Sequence, residues 1–252
     1  RKFARKPPVP IASVVMGKLK KMKKTKYILT LFAFGVTLVT SGQNFKDTVF
    51  IYKDSVFGTS QSIYYDNSKN NISDKDESYF SLSQSDEESY NYSLDYLKES
   101  KKYLVKRKPE IPWTSWLQLK QYNGQFYIYK PCDNINFYGI TINDSTFIDW
   151  KGEGPTANKI LNETKTDFNT YVCKLTGISE EKRNLTVHIV DSITGIAVFE
   201  EKVGRNKKIF YLMTPTIKRF NFPLIVNNCR YQKQTELEFE EPNYIRILRK
   251  RK

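Results

Sequence analysis

From Gln125 onward the chain alternates apolar and polar positions with the period of a β-strand. Phe126 and Ile128 share one face while Tyr127 and Tyr129 take the other, and Pro131, which cannot donate to a ladder, ends the run. Tyr138, Ile140 and Ile142 then alternate up to Asn143-Asp144, two residues that tolerate the positive φ of a tight turn, and Thr146, Ile148 and Trp150 return. Residues 152–155 break the sheet in this reading, and 158–167 is a polar connection or one helical turn. Alternation resumes over 168–175 and again where Leu185, Val187 and Ile189 interleave with Thr186, His188 and Val190, up to a turn-like break at 191–195. Residues 196–199, a turn at 204–206, then 209–213 and 224–226 complete the set. Counted from Gly124, about eight strands follow one another through mostly short turns, which predicts a mainly β fold with an antiparallel up-and-down meander. A further strand is read around Leu237 and Phe239.

Ahead of the meander, Val49 to Tyr52 and Ser62 to Tyr65 read as two short strands in a region spanning 43–66, either a separate hairpin or an addition to the main sheet. Residues 67–92 shift to Asn, Ser, Asp and Glu with few apolar side chains, and such a segment buries too little surface to offset its ordering entropy. It is predicted to be a disordered acidic linker. Leu94, Leu97, Tyr103 and Leu104 have broadly helical spacing among lysines, which predicts a short amphipathic helix over 93–108, ended by Pro109 and Pro112. The barrel domain then covers 109–230, and 231–252 is a C-terminal strand with a basic tail.

The charge is decided largely by the first residues. Met22-Lys-Lys-Thr-Lys, an apolar run from Tyr27 to Thr40 and the small residues Ser41 and Gly42 have the layout of a secretory signal over 22–42, with 1–21 read as a leader outside the native product. The apolar run is shorter than the about 18 residues a membrane span wants, so no stable span is expected after cleavage. The run is followed directly by Ser41, Gly42, Gln43 and Asn44 with no cysteine among them, which argues against a lipoprotein. Of the net charge of +14, ten cations lie between Arg1 and Gly42 with no acid among them, leaving +4 for the rest of the chain. A nucleic-acid partner is therefore not expected, and the protein is placed outside the cytoplasm, secreted or periplasmic.

Trp116 ahead of the Gly124-Gln-Phe-Tyr-Ile-Tyr strand, with consecutive hairpins after it, resembles the up-and-down barrels of the lipocalin superfamily, the calycins. In that family a Gly-x-Trp motif marks the first strand and its Trp plugs the barrel floor; here Phe126 stands at the Trp position and Trp116 precedes the glycine. The signal layout, Gln43 and the Tyr-, Asn- and Lys-rich composition also resemble secreted proteins of the Bacteroidetes. The meander bears on the cysteines too. With a first strand running up and a last running down, Cys132 and Cys229 fall at opposite ends, and Cys173–Cys229 is the expected pairing, similar to the bridge from the fourth strand to the C-terminal segment that lipocalins often use. The alternative is three reduced thiols.

Chemistry is sparse. His188 is the one histidine and lies mid-strand, neither Cys-x-x-Cys nor His-x-x-x-His spacing occurs, and no Gly-x-Ser-x-Gly elbow or phosphate-cradling glycine loop is present. No catalytic residue, metal or cofactor is expected. If one face of each strand lines a barrel, Phe126, Ile128, Ile140, Ile142, Leu185, Val187, Ile189 and Tyr211 point inward, either filling the space or surrounding a cavity for one small apolar ligand. Three functions follow: a binding module for a small hydrophobic molecule; a module that grips a surface protein or glycan through exposed Trp113, Tyr127 and Tyr129; and, weakest, a hydrolase built on two carboxylates.

Overall fold

The computed structural model describes residues 48–56, 59–66, 83–133, 136–178, 182–203, 207–230 and 235–251. The expected leader at 1–21 and signal at 22–42, residues 67–82 of the expected acidic linker and the expected turn at 204–206 lie outside the described residues. Twelve strands form: β1 (Thr48–Val56), β2 (Thr59–Asp66), β3 (Ser115–Tyr122), β4 (Gln125–Lys130), β5 (Gly139–Ile142), β6 (Thr146–Lys151), β7 (Gly154–Asp167), β8 (Thr170–Thr176), β9 (Arg183–Asp191), β10 (Ile196–Val203), β11 (Lys207–Pro215) and β12 (Leu224–Arg230). Strands β5 to β11 pair in succession, β11 pairs β3, and β3 pairs β5, which closes an eight-stranded antiparallel barrel.

The expected number of barrel strands is met by a different set. Strand β4, read as the opening strand, lies outside the barrel, and so does β12. Strand β3 is long enough to serve two sheets: Ser115 to Gln118 pair within the barrel, while Leu119 to Tyr122 pair with β4. From there an extension runs β4–β12–β2–β1, with β12 parallel to β4 and antiparallel to β2. The turn from β3 to β4 is Asn123-Gly124, both at positive φ (48° and 73°), the geometry that suits the right-handed twist of two strands. The Asn143 turn works otherwise. No positive φ occurs there; the Asn143 side-chain oxygen accepts from the backbone N–H groups of Ser145 and Thr146.

Strand β7 replaces the break and the polar connection expected over 152–167. It escapes the alternation rule because polar Asn158 and Glu163 share its inward face with Ile160. Asn158 donates to Asp149 at 2.9 Å, and the Glu163 carboxylate accepts from the N–H groups of Glu110 and Ile111 and pairs with Arg107 at 2.9 Å. The helix also moves. Helix α1 spans Gln84–Glu99, not 93–108, and takes up the end of the expected linker. Ser83 and Asp86 cap its first turn reciprocally, and Asp86 and Glu87 suit the positive end of the helix dipole. Its contact stripe toward β7 is Ser89, Ser93 and Leu97: Ser93 Oγ accepts from Ala157 N at 2.9 Å, and Ser89 Oγ donates to Glu153 O. The region around Leu237 and Phe239 is not a strand; a single bridge joins Glu240 to Gln121, and a short helix α2 (Tyr244–Leu248) follows.

The apolar residues sort into three clusters. The barrel interior holds Trp116, Ile140, Ile142, Phe147, Leu185, Val187, Phe199 and Met213 among others. A second cluster lies on the outer wall, where Val198 and Leu212 meet Leu119, Ile128, Leu224 and Phe222, with Phe126, Tyr244 and Ile247 at its margin. The third, Ile63, Tyr127, Tyr129 and Ile225, fills the far face of the extension sheet.

Candidate functional site

The barrel interior is packed with side chains. Trp116 is fully buried, meets Phe199 edge-on at 5.0 Å and Trp113 at 5.4 Å, and donates from Nε1 to Trp113 O. It enters near the barrel end where β3 begins, and Phe147, Phe199 and Met213, all at 0 % exposure, belong to the same cluster. Of the residues predicted to face inward, Ile140, Ile142, Leu185, Val187 and Ile189 do so and Tyr211 packs against the same cluster. Phe126 and Ile128 belong to the outer cluster instead, because β4 leaves the barrel. Tyr127 and Tyr129 are buried and Trp113 is half-buried, so these three do not form an exposed aromatic grip. Buried Tyr129 donates to Glu236 and accepts from Asn227, and its hydroxyl is raised above the ordinary tyrosine range by burial first and by Glu236 next.

At the opposite end of the barrel, charge fills the mouth. Arg183 at the start of β9 donates to Asp149 (2.5 Å, β6) and Glu201 (2.6 Å, β10), and Tyr138 and Asn158 donate to Asp149 at 2.9 Å. The strand registers explain the meeting: Asp149 lies opposite Ile140, Arg183 opposite Leu175 and Glu201 opposite Leu185, all on the inner face. Burial opposes the guanidinium charge, but the bonds and charges of Glu201 and Asp149 outweigh it and hold Arg183 above the ordinary arginine range. Tyr138 is pushed well up by burial and then by Asp149. Both carboxylates are committed to one cation. A hydrolytic pair needs one carboxyl free to give a proton and one free to take it, which this arrangement does not offer.

The thiols are a correction to the expected bridge. Cys132 and Cys229 form the disulfide, with Cα atoms 5.5 Å apart, and Cys173 is free and buried among the barrel residues. The parallel pairing of β4 with β12 is the reason: Ile128 faces Leu224 and Lys130 faces Val226, so the two chains leave the sheet at the same end. Burial, then the Glu163 charge, pushes the Cys173 thiol up to about 12. His188 lies on the outer wall, its Nε2 3.5 Å from Glu200 and its Nδ1 3.4 Å from Arg251. Burial and then Arg251 lower its pKa.

A cavity with room for a small molecule lies outside the barrel. A groove of about 470 Å³ runs between the β3–β4 hairpin, the β9–β10 turn and α2. That volume falls within the roughly 300–1,000 Å³ of small-molecule sites. Phe126, Val190, Ile196 and Ile247 give it an apolar floor; Arg246 and Lys250 bring two cations, and Gln121, Asn243 and Asp191 supply polar edges. Asp191 is partly spent on its own turn, where Oδ1 accepts from the N–H groups of Ile193 and Thr194. The hairpin is fixed by Glu240, which accepts from Gly124 N and Gln121 Nε2, and α2 by the stacking of Tyr244 on Phe210 at 5.1 Å. Phe126 was the one groove residue singled out from sequence, in another role. The Asn123-Gly124 pair was the available signal: it marks a hairpin, and so a β4 that turns back on β3 rather than opening the meander. No family model, no curated protein and no solved structure matches this chain.

Proposed function

We propose that the chain is a β-barrel binding module that takes one small amphiphile, an apolar body with an anionic head, in the groove on its outer wall. The observation that carries this reading is the groove itself, with Phe126, Val190, Ile196 and Ile247 beneath it and Arg246 and Lys250 at its side. An apolar floor supplies most of the affinity and a few placed polar groups supply orientation, which is the usual division of labour in small-molecule sites. The closed barrel supports the reading as a rigid wall, and its packed interior favours the outer groove over the lumen as the place for a ligand. Secretion through the segment 22–42 is part of the same proposal, since it gives such a module access to amphiphiles outside the cytoplasm.

Dodecanoate is a suitable probe. Calorimetric titration of delipidated protein is expected to show one site per chain, and Ile196→Trp, which fills the groove, is expected to abolish it. Dodecylamine, with the opposite head charge, is expected to bind at least tenfold more weakly. Absence of dodecanoate binding, or binding unaffected by Ile196→Trp, overturns the assignment of the groove.

A further inference from the structure

The topology gathers a set of protruding apolar side chains at the barrel end where β3 begins. Antiparallel order puts the β7–β8 turn, the β9–β10 turn and the chain after β11 at that same end. Thr170 lies opposite His188 near the end of β9, and Asn169 O accepts from Ile189 N at 2.8 Å. Met213 faces Ala197, and the 3₁₀ turn Thr216–Asn221 after β11 packs on the β9–β10 turn through Asn221 Nδ2 donating to Thr194 O at 2.9 Å. Gly195, at φ +86°, lets Lys218 lie close; a Cβ there would be 2.5 Å from the Lys218 Cβ. From these three places Phe168 (82 % exposed), Ile193 (81 %), Ile217 (66 %) and Phe220 (51 %) project into solvent.

Cations stand between them. Lys165 Nζ lies 5.4 Å from the Phe168 ring centre and the Arg219 guanidinium 4.1 Å from that of Phe220, so each protruding ring carries a cation on its face. Arg251, following α2, reaches Thr170 Oγ1 at 2.9 Å at the same end. Carboxylates there have partners of their own: Asp167 accepts from Asn169 N, Asp191 from Ile193 N and Thr194 N, and Asp144 on the β5–β6 turn pairs with Lys106.

We infer that this end of the barrel docks on an anionic lipid bilayer, with the apolar tips entering the acyl boundary and the cations lying at the headgroups. Separate tips on separate turns, the two rings each beside a cation, fit a deformable apolar layer under anionic groups better than they fit the contiguous apolar patch of a protein interface. Phe220 and Phe168 supply apolar area, and Lys165, Lys218, Arg219 and Arg251 supply attraction that salt weakens. The inference does not rest on the amphiphile groove, although the groove borders the β9–β10 turn through Asp191 and Ile196.

Co-sedimentation of the full chain with vesicles tests it. Vesicles of phosphatidylcholine and phosphatidylglycerol in equal parts are expected to bind it, vesicles of phosphatidylcholine alone to bind it at least tenfold more weakly, and added salt to release it. Lys218→Gln with Arg219→Gln is expected to weaken binding about 25-fold, from about fivefold per cation near an anionic surface. Phe168→Ser with Phe220→Ser is expected to weaken it at least tenfold. All four side chains are exposed or half-exposed, and an unchanged melting curve certifies each variant. Ile196→Trp is expected to leave vesicle binding intact while dodecanoate binding is lost, so the two sites fail separately. No binding to the mixed vesicles overturns the inference and returns the surface to a protein partner. Binding that survives both double substitutions, or that falls only with Ile196→Trp, overturns it as well.

Discussion

Arg183→Met isolates the part of the barrel that depends most on charge. The substitution keeps much of the side chain's length and apolar contact with Phe147, over whose ring the guanidinium sits at 5.8 Å. It removes the cation that Asp149, 3 % exposed, and Glu201, 7 % exposed, share. The Arg183 side chain is itself 20 % exposed, so solvent screens the pair only modestly. Removing one partner of a buried ion pair costs about 3–5 kcal/mol, because the remaining charge keeps its desolvation cost without its counter-charge. Here two carboxylates are left, and Tyr138 and Asn158 still donate to only one of them. The expected loss is therefore about 4 kcal/mol, roughly 8–16 °C in melting temperature for a domain of this size. Urea unfolding followed by tryptophan fluorescence reads it, since Trp116 and Trp150 are buried and Trp113 is half-buried. The triple variant Arg183→Met, Asp149→Asn, Glu201→Gln removes the stranded charges and is expected to recover at least half of the loss. A loss below about 1 kcal/mol in Arg183→Met, or a triple variant less stable than the single one, refutes the view that the mouth is held by compensated charge.

Three further expectations can be checked on the same protein. The Cys132–Cys229 bridge closes 97 residues of sequence, so replacing both with Ser is expected to cost about 3–4 kcal/mol in urea unfolding, and a non-reducing peptide map that joined Cys173 to Cys229 would contradict the parallel β4–β12 pairing. Buried Cys173, its thiol pushed up to about 12, is expected to resist maleimide at pH 8 in the native protein and to react on unfolding; rapid native labelling would refute its burial. His188 has a folded pKa below the ordinary 6.5, so the unfolded chain binds its proton more readily, and stability is expected to fall as pH drops through 6.5. The groups facing it are Glu200 with Lys208, Asp167 and Arg251. Glu200 has its carboxyl lowered, with burial opposing and Lys208 prevailing, so its own loss comes at lower pH, and His188→Gln is expected to flatten only the upper window; an unchanged slope there would be the contrary result.

The site was legible in proportion to how local its signals were. Ile140, Ile142, Leu185, Val187 and Ile189 were assigned to the interior because alternation within a strand states which side chains share a face. The same rule misassigned Phe126 and Ile128, which share a face with each other but pack against the barrel wall from outside. The Arg183 cluster was illegible for a related reason. Asp149, Arg183 and Glu201 stand on three strands far apart in sequence, and only the registers of β6, β9 and β10 bring them to one mouth. The groove needed still more, since its walls come from a hairpin, a turn and a helix of only five residues.

By itself the sequence determined the mainly β class, the presence of about eight barrel strands, the β5–β6 hairpin, the β9–β10 turn and the strand pair of β1 and β2. All of these rest on period-two alternation and on turn residues, which act within a few positions along the chain. Tertiary structure decided which strands close the barrel, the extension into which β4 and β12 depart, the disulfide, and the strand character of β7, whose inward Asn158 and Glu163 are favourable only because Asp149 and Arg107 wait for them. Alternation fixes the face a side chain takes but not the neighbour across from it. That neighbour is chosen by strand pairing and by the need to satisfy buried polar groups, and both are properties of the assembled sheet.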